Sequence, residues 1–155
     1  MIPSPKGFTL LELMVVIAMI SALLLITGPS MGTLMQAVQY REAVRQLVSA
    51  NQKARRTARA TGRAVDVVID PHQNRFAVTA EPERLVPEDY TFLADNLEFE
   101  VVFAEEVSPG KGLAAIRFYP EGGASGGEVL IQRPSGAGVK LTIDWLIGDV
   151  RQEPL

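Results

Sequence analysis

The sequence predicts an α+β protein: a long N-terminal helix, membrane-spanning in its first part and amphipathic in its second, followed by a small antiparallel β-sandwich head. Three observations carry this. Between Leu10 and Ile26 the only polar side chains are Glu12 and Ser21. From Met31 to Ala58 apolar residues then recur mostly every three or four positions, and from Ala64 onward the period falls to two, with glycine- and proline-rich breaks. The expected divisions are a transmembrane helix reaching to 29, an amphipathic helix packed on the head at 30–63, and a β-rich domain at 64–155.

The first stretch, with its flanks, matches the roughly 20 apolar residues that cross a bilayer. A carboxylate that deep is costly, about 2.5 to 3.5 kcal/mol on insertion scales, unless a partner neutralises it. Glu12 is therefore the most informative residue of the chain. A cleavable secretory signal would use Lys6 as its basic region and Leu13 to Ile26 as its apolar region, but no A-x-A-like site follows and Pro29 stands in the way. A plain signal anchor accounts for the length and leaves Glu12 unexplained. A core helix of a soluble protein would need a polar face, which this run lacks.

Met31, Leu34, Met35, Val38, Val44, Leu47, Val48, Ala54 and Ala58 form the stripe of the amphipathic continuation, with Arg41, Arg45, Arg55, Arg56, Arg59 and Arg63 on its other faces. Pro29 should bend the helix without ending it, Gly28 eases the bend, and Gly62 is a plausible stop. From Phe8 to Thr61 this is a rod of about 80 Å, at 1.5 Å per residue.

In the head, Val65, Val67 and Ile69 oppose Asp66 and Asp70, and a turn at 71–74 leads into Arg75 to Thr79, the pattern of a β-hairpin. Residues 80–96, with Pro82 and Pro87, read as a loop. Leu97, Phe99, Val101 and Phe103 alternate with Glu98 and Glu100, a strand with one buried face. Segments 113–119, 128–133, 139–145 and 149–152 bring the total to about seven strands, with glycine-rich turns at 121–127 and 135–138. Short strands in series suggest two antiparallel sheets packed on each other.

Charge is unevenly spread along the 155 residues. Residues 30–63 hold seven Lys/Arg against Glu42, a net of +6, while residues 64–155 hold seven against sixteen acids, a net of −9. With no cysteine, disulfides and thiolate metal sites are excluded. The sole histidine, His72, falls in the predicted turn and has no histidine to pair with in a metal site or triad. Glu98-Glu100 and Glu105-Glu106 read as a solvated strand face and loop, not as catalytic carboxylates. The glycine pairs 122–123 and 126–127 lack the lysine and hydroxyl residue of a phosphate loop. Trp145 is expected to face the core beside Leu141 and Ile143. No catalytic, cofactor or metal site is expected. The basic run Lys53 to Arg59 has the charge to contact phosphates, but the acidic head should repel a duplex.

Gly7-Phe8-Thr9-Leu10-Leu11-Glu12, between Lys6 and the apolar run, resembles the class III signal of type IV pilins and type II secretion pseudopilins. That resemblance implies cleavage between Gly7 and Phe8 by a membrane-embedded prepilin peptidase, and methylation of the new Phe8 amine. Glu12 of a neighbouring subunit would then neutralise that amine, since opposite charges attract far more strongly in a low-dielectric setting than in water. Glu12 becomes an assembly register, a role attested for buried polar groups elsewhere. Counting positive charge, with Lys6 before the span and Arg41 and Arg45 after it, would put the head in the cytoplasm. The resemblance overrides that count and implies a single-pass inner-membrane protein with a periplasmic head.

Ile116 to Gly122, followed by Gly126-Gly127-Glu128-Val129, is similar to the strand, proline-acidic-glycine turn and double-glycine hairpin of H-type minor pseudopilins, and Leu141 to Arg151 to their closing hairpin. The calcium loop of the major pseudopilin is not recognisable. The implied role is structural: a minor pseudopilin in the tip or upper part of the type II secretion pseudopilus, supporting export of folded proteins from the periplasm. Its implied partners are other minor pseudopilins, the major pseudopilin, the prepilin peptidase and methylase, the inner-membrane assembly platform and secreted cargo. The alternative is a minor type IV pilin in pilus assembly or DNA uptake.

Overall fold

The computed structural model describes residues 8–27, 30–110 and 112–155. The chain divides into two compact units, Met1–Met35 and Gln36–Leu155. In the first, α1 runs Leu10–Thr27. Every described side chain from Phe8 to Leu23 is exposed, as expected of a helix whose run of Leu, Ile, Val and Met has no polar face to turn outward. Ser21 satisfies its hydroxyl by donating to the Ile17 carbonyl at 2.8 Å. Among the described residues no helix is long and apolar enough to cross a membrane. The expected span at 8–29 thus reads here as an 18-residue helix, with Gly28, Pro29 and their bend outside the described residues.

The second unit carries most of α2 (Ser30–Thr61) and eight strands: β1 (Val65–Asp70), β2 (Arg75–Thr79), β3 (Thr91–Phe92), β4 (Glu98–Val102), β5 (Ala114–Phe118), β6 (Gly127–Gln132), β7 (Gly138–Ile143) and β8 (Val150–Pro154). They form two four-stranded sheets, ordered β3-β2-β1-β5 and β4-β6-β7-β8, and every pairing is antiparallel. One core joins α2 to both sheets: Leu47, Ala54 and Ala58 meet Val67 and Ile116 from one sheet and Val129, Ile131 and Leu141 from the other. The small alanines bring the helix backbone close to the strands.

Several expectations change. On α2 the buried face is Ala43, Leu47, Ala50, Asn51, Ala54 and Ala58, whereas Leu34, Met35 and Val38 are exposed. The expected stripe holds at Leu47, Ala54 and Ala58, with Val44 and Val48 packed against the core, but at Leu34, Met35 and Val38 it runs off the face that packs, and it omits Ala43 and Ala50. The loop at 80–96 contains the short β3 and two 3-10 turns. Strand β1 is buried on both faces: Val65, Val67 and Ile69 enter the main core, while Val68 meets Val107 and Ala115 in a second cluster. Asp66 and Asp70, expected opposite the apolar face, are thus interior. Trp145 is 69 % exposed, not in the core. Its strand stops at Ile143, where the Asp144 carboxylate accepts the N–H groups of Leu146 and Ile147 and ends the alternation that would have pointed Trp145 inward.

Candidate assembly site

The residues singled out in the sequence cluster at the start of α1. Gly7 lies outside the described residues. Phe8 is 83 % exposed, one turn before Glu12. Thr9 sits just ahead of the helix, and its hydroxyl accepts the Glu12 N–H at 3.2 Å, while its carbonyl accepts the N–H groups of Glu12 and Leu13. Thr9 is therefore the N-cap, satisfying donors that a helix start leaves orphaned. The T-x-x-E spacing Thr9 to Glu12 is a capping signature that marks this start in the sequence. A carboxylate in the first turn also lies where the helix dipole favours negative charge. Among the described residues no side chain pairs with the Glu12 carboxylate. The structure brings Phe8, Thr9 and Glu12 together.

The head resolves its own buried charges. Arg117 of β5 lies directly across from Asp66 of β1, and its Nε and a terminal nitrogen both donate to that carboxylate at 2.7 Å. The fork geometry suits a carboxylate that is 2 % exposed, and this hydrogen bond raises the Arg117 guanidinium above its ordinary pKa. At the other end of β1, Arg75 opposite Asp70 donates through Nε at 3.1 Å and stacks on the Tyr90 ring at 4.2 Å. The second oxygen of Asp70 accepts the N–H groups of His72 and Gln73, which shapes the β1–β2 turn. His72 is a solvated turn residue, as expected. Glu98, Glu100, Glu105 and Glu106 are exposed and form no enclosed carboxylate pair. Among the described residues no group of His, Asp or Glu is placed to hold a metal ion.

The described residues thus combine an exposed apolar helix with a capped, acid-bearing start and, further along the chain, a helix-packed β-sandwich. The chain matches the Prokaryotic N-terminal methylation motif over residues 3–28. It also matches Type II transport protein GspH over residues 43–146, and by this extent the chain belongs to the GspH family, the H-type minor pseudopilins of type II secretion. Among solved structures, the minor pseudopilin EpsH from the type 2 secretion system of Vibrio cholerae superposes with a TM-score of 0.54 at 13% identity, covering 76% of this chain and 96% of that one. At that identity the likeness speaks for the fold. Among curated proteins none matches. The family is a structural one, and membership implies assembly with other pseudopilins.

Proposed function

We propose that this chain is a non-enzymatic subunit of the tip or upper part of the type II secretion pseudopilus, cut between Gly7 and Phe8 and methylated at Phe8. Residues 1–7 are the removed leader and 8–29 the inner-membrane anchor. Residues 30–63 carry the periplasmic head at 64–155. Glu12 pairs with the Phe8 amine of a neighbouring pseudopilin as subunits leave the membrane, so that one contact neutralises both charges and fixes the axial register. The observation that carries this reading is Glu12 itself: the lone carboxylate of α1, one turn from Phe8, with no partner among the described residues. Its capping by Thr9 uses the backbone N–H and leaves the carboxylate available. The major pseudopilin, the other minor pseudopilins, the peptidase and methylase, the assembly platform and cargo are its partners in this reading.

Intact mass of the chain recovered from membranes tests it. The expected species begins at Phe8 and carries one methyl group; a species still beginning at Met1, or trimmed near Ser30, contradicts it. Gly7→Leu should abolish the cut and leave the leader attached.

A further inference from the structure

The two sheets of the head have four edges, and three of them are closed. Strand β3 is only two residues long. Strand β8 ends in Pro154, which has no N–H to offer. Beside β5, Ser125 takes both main-chain groups of Arg117: its N–H donates to the Arg117 carbonyl at 2.7 Å, and its hydroxyl accepts the Arg117 N–H at 3.1 Å. The fourth edge, β4, is open. In the β6–β7 hairpin the Arg133 N–H donates to the Ala137 carbonyl. Carried through the registers, that bond makes the odd-numbered residues of β6 face β7 and the even-numbered ones face β4. Glu98, Glu100 and Val102 therefore bond to β6, and Phe99 and Val101 turn their N–H and carbonyl groups outward. Leu97, in the same phase, has its own groups taken by the Ala94 carbonyl and the Asn74 side chain. Among the described residues nothing takes those of Phe99 and Val101.

We propose that β4 takes an extended, basic segment of a different protein as a fifth strand of its sheet. Charge selects that occupant. On the outer face of the sheet Lys140 stands between Glu128 and Glu153, at 3.7 and 3.5 Å. Glu98 and Glu100 lie on the same face at the β4 end, where both are exposed and pair with no cation among the described residues. A strand with lysine or arginine at every second position supplies the missing cations, because opposite charges across neighbouring strands stabilise a sheet and like charges destabilise it. The same rule sets aside a second copy of this chain. Two β4 edges would bring their glutamates face to face, and the chain's own basic run at 53–59 is held in α2. Phe99 and Val101 pack on the core from the inner face and are only half-buried, so a neighbouring strand would cover what remains of them. This contact is independent of cleavage before Phe8 and of the pairing of Glu12.

Amide hydrogen exchange of the full-length chain in detergent micelles reads this edge residue by residue. In the free chain the amides of Glu98, Glu100 and Val102 should exchange slowly and those of Phe99 and Val101 fast. The probe is a short peptide alternating lysine with valine. Its addition should slow Phe99 and Val101 by about tenfold or more, whereas the same peptide with every amide N-methylated, equal in charge, should leave them unchanged. Glu98→Lys combined with Glu100→Lys, both at exposed positions, should weaken the lysine peptide on the order of tenfold and admit a peptide alternating glutamate with valine in its place. Slow exchange of Phe99 and Val101 in the free chain, no protection by the lysine peptide, equal protection by its N-methylated form, indifference to the charge reversal, or protection that grows with chain concentration alone would each overturn the proposal.

Discussion

Asp66 and Glu12 meet different surroundings in two regions of one chain: Asp66 is 2 % exposed, whereas Glu12 lies on an exposed helix. Each carboxylate sits in an apolar run, Asp66 between Val65 and Val67 in β1, Glu12 between Leu11 and Leu13 in α1. In the head the remedy is intramolecular: Arg117, 51 residues away in sequence, closes on Asp66 with two 2.7 Å bonds. In α1 no described side chain of the same chain answers Glu12. A buried charge without a partner is costly, and Arg117 answers that cost for Asp66; Glu12 is exposed, and in the reading proposed above its partner arrives only with assembly. Surface character follows the same division. The head keeps most of its apolar side chains in a core, with Trp145, Leu146 and Phe92 among the exceptions, whereas α1 displays those described, a surface suited to lipid or to packed helices.

The largest effect that would test this contrast is Arg117→Met. It strands Asp66 in the interior and should lower the stability of the head by about 3–5 kcal/mol, read as loss of the cooperative unfolding midpoint by far-UV circular dichroism. The sole tryptophan, being exposed, is a poor probe. A loss below about 1 kcal/mol would mean that Asp66 escapes its cage. Next in size, Leu47→Ala on the buried face of α2 should cost about 2–5 kcal/mol, while Leu34→Ala, 64 % exposed on the same helix, should stay within about 0.5 kcal/mol. Equal losses would dissolve the distinction between the two faces. The smallest effect is alkaline. Burial raises the Tyr40 hydroxyl above its ordinary value of 10.0, with Arg133 opposing, so the folded state holds that proton more tightly. The stability this lends is fully present below pH 10.0 and is lost as pH rises through the folded value. Tyr40→Phe should therefore shallow the decline in stability above pH 10.0. Tyr90, shifted the same way by burial, retains part of the decline, and an unchanged slope would remove Tyr40 as a contributor.

What the sequence made legible follows from which signals are local. The β1–β2 hairpin, the alternation of β4 and the antiparallel two-sheet head are written in period-two patterns and turn residues a few positions apart. The partners of Asp66 and Asp70 are written in register. Arg75 could have been found as the residue closing the hairpin opposite Asp70, but Arg117 faces Asp66 only once β5 is known to pair with β1. Alanine hid part of the packing face of α2, because Ala43 and Ala50 carry little hydropathy of their own yet fit where larger residues do not. Trp145 was misplaced because an Asx turn at Asp144 interrupts a pattern that hydropathy alone continues. At the N-terminus, the Thr9 to Glu12 spacing announces the helix start, and the apolar context of Glu12 announces the need for a partner.

Incorporation of Glu12→Ala is the most direct test of the claim that this need is met by another subunit. Membranes and sheared pseudopili from cells making the wild-type or Glu12→Ala chain are compared for processed protein. The account predicts the same mature N-terminus and unfolding midpoint for both chains, with the variant retained in membranes and depleted from pseudopili. Equal incorporation of the processed Glu12→Ala chain would contradict it.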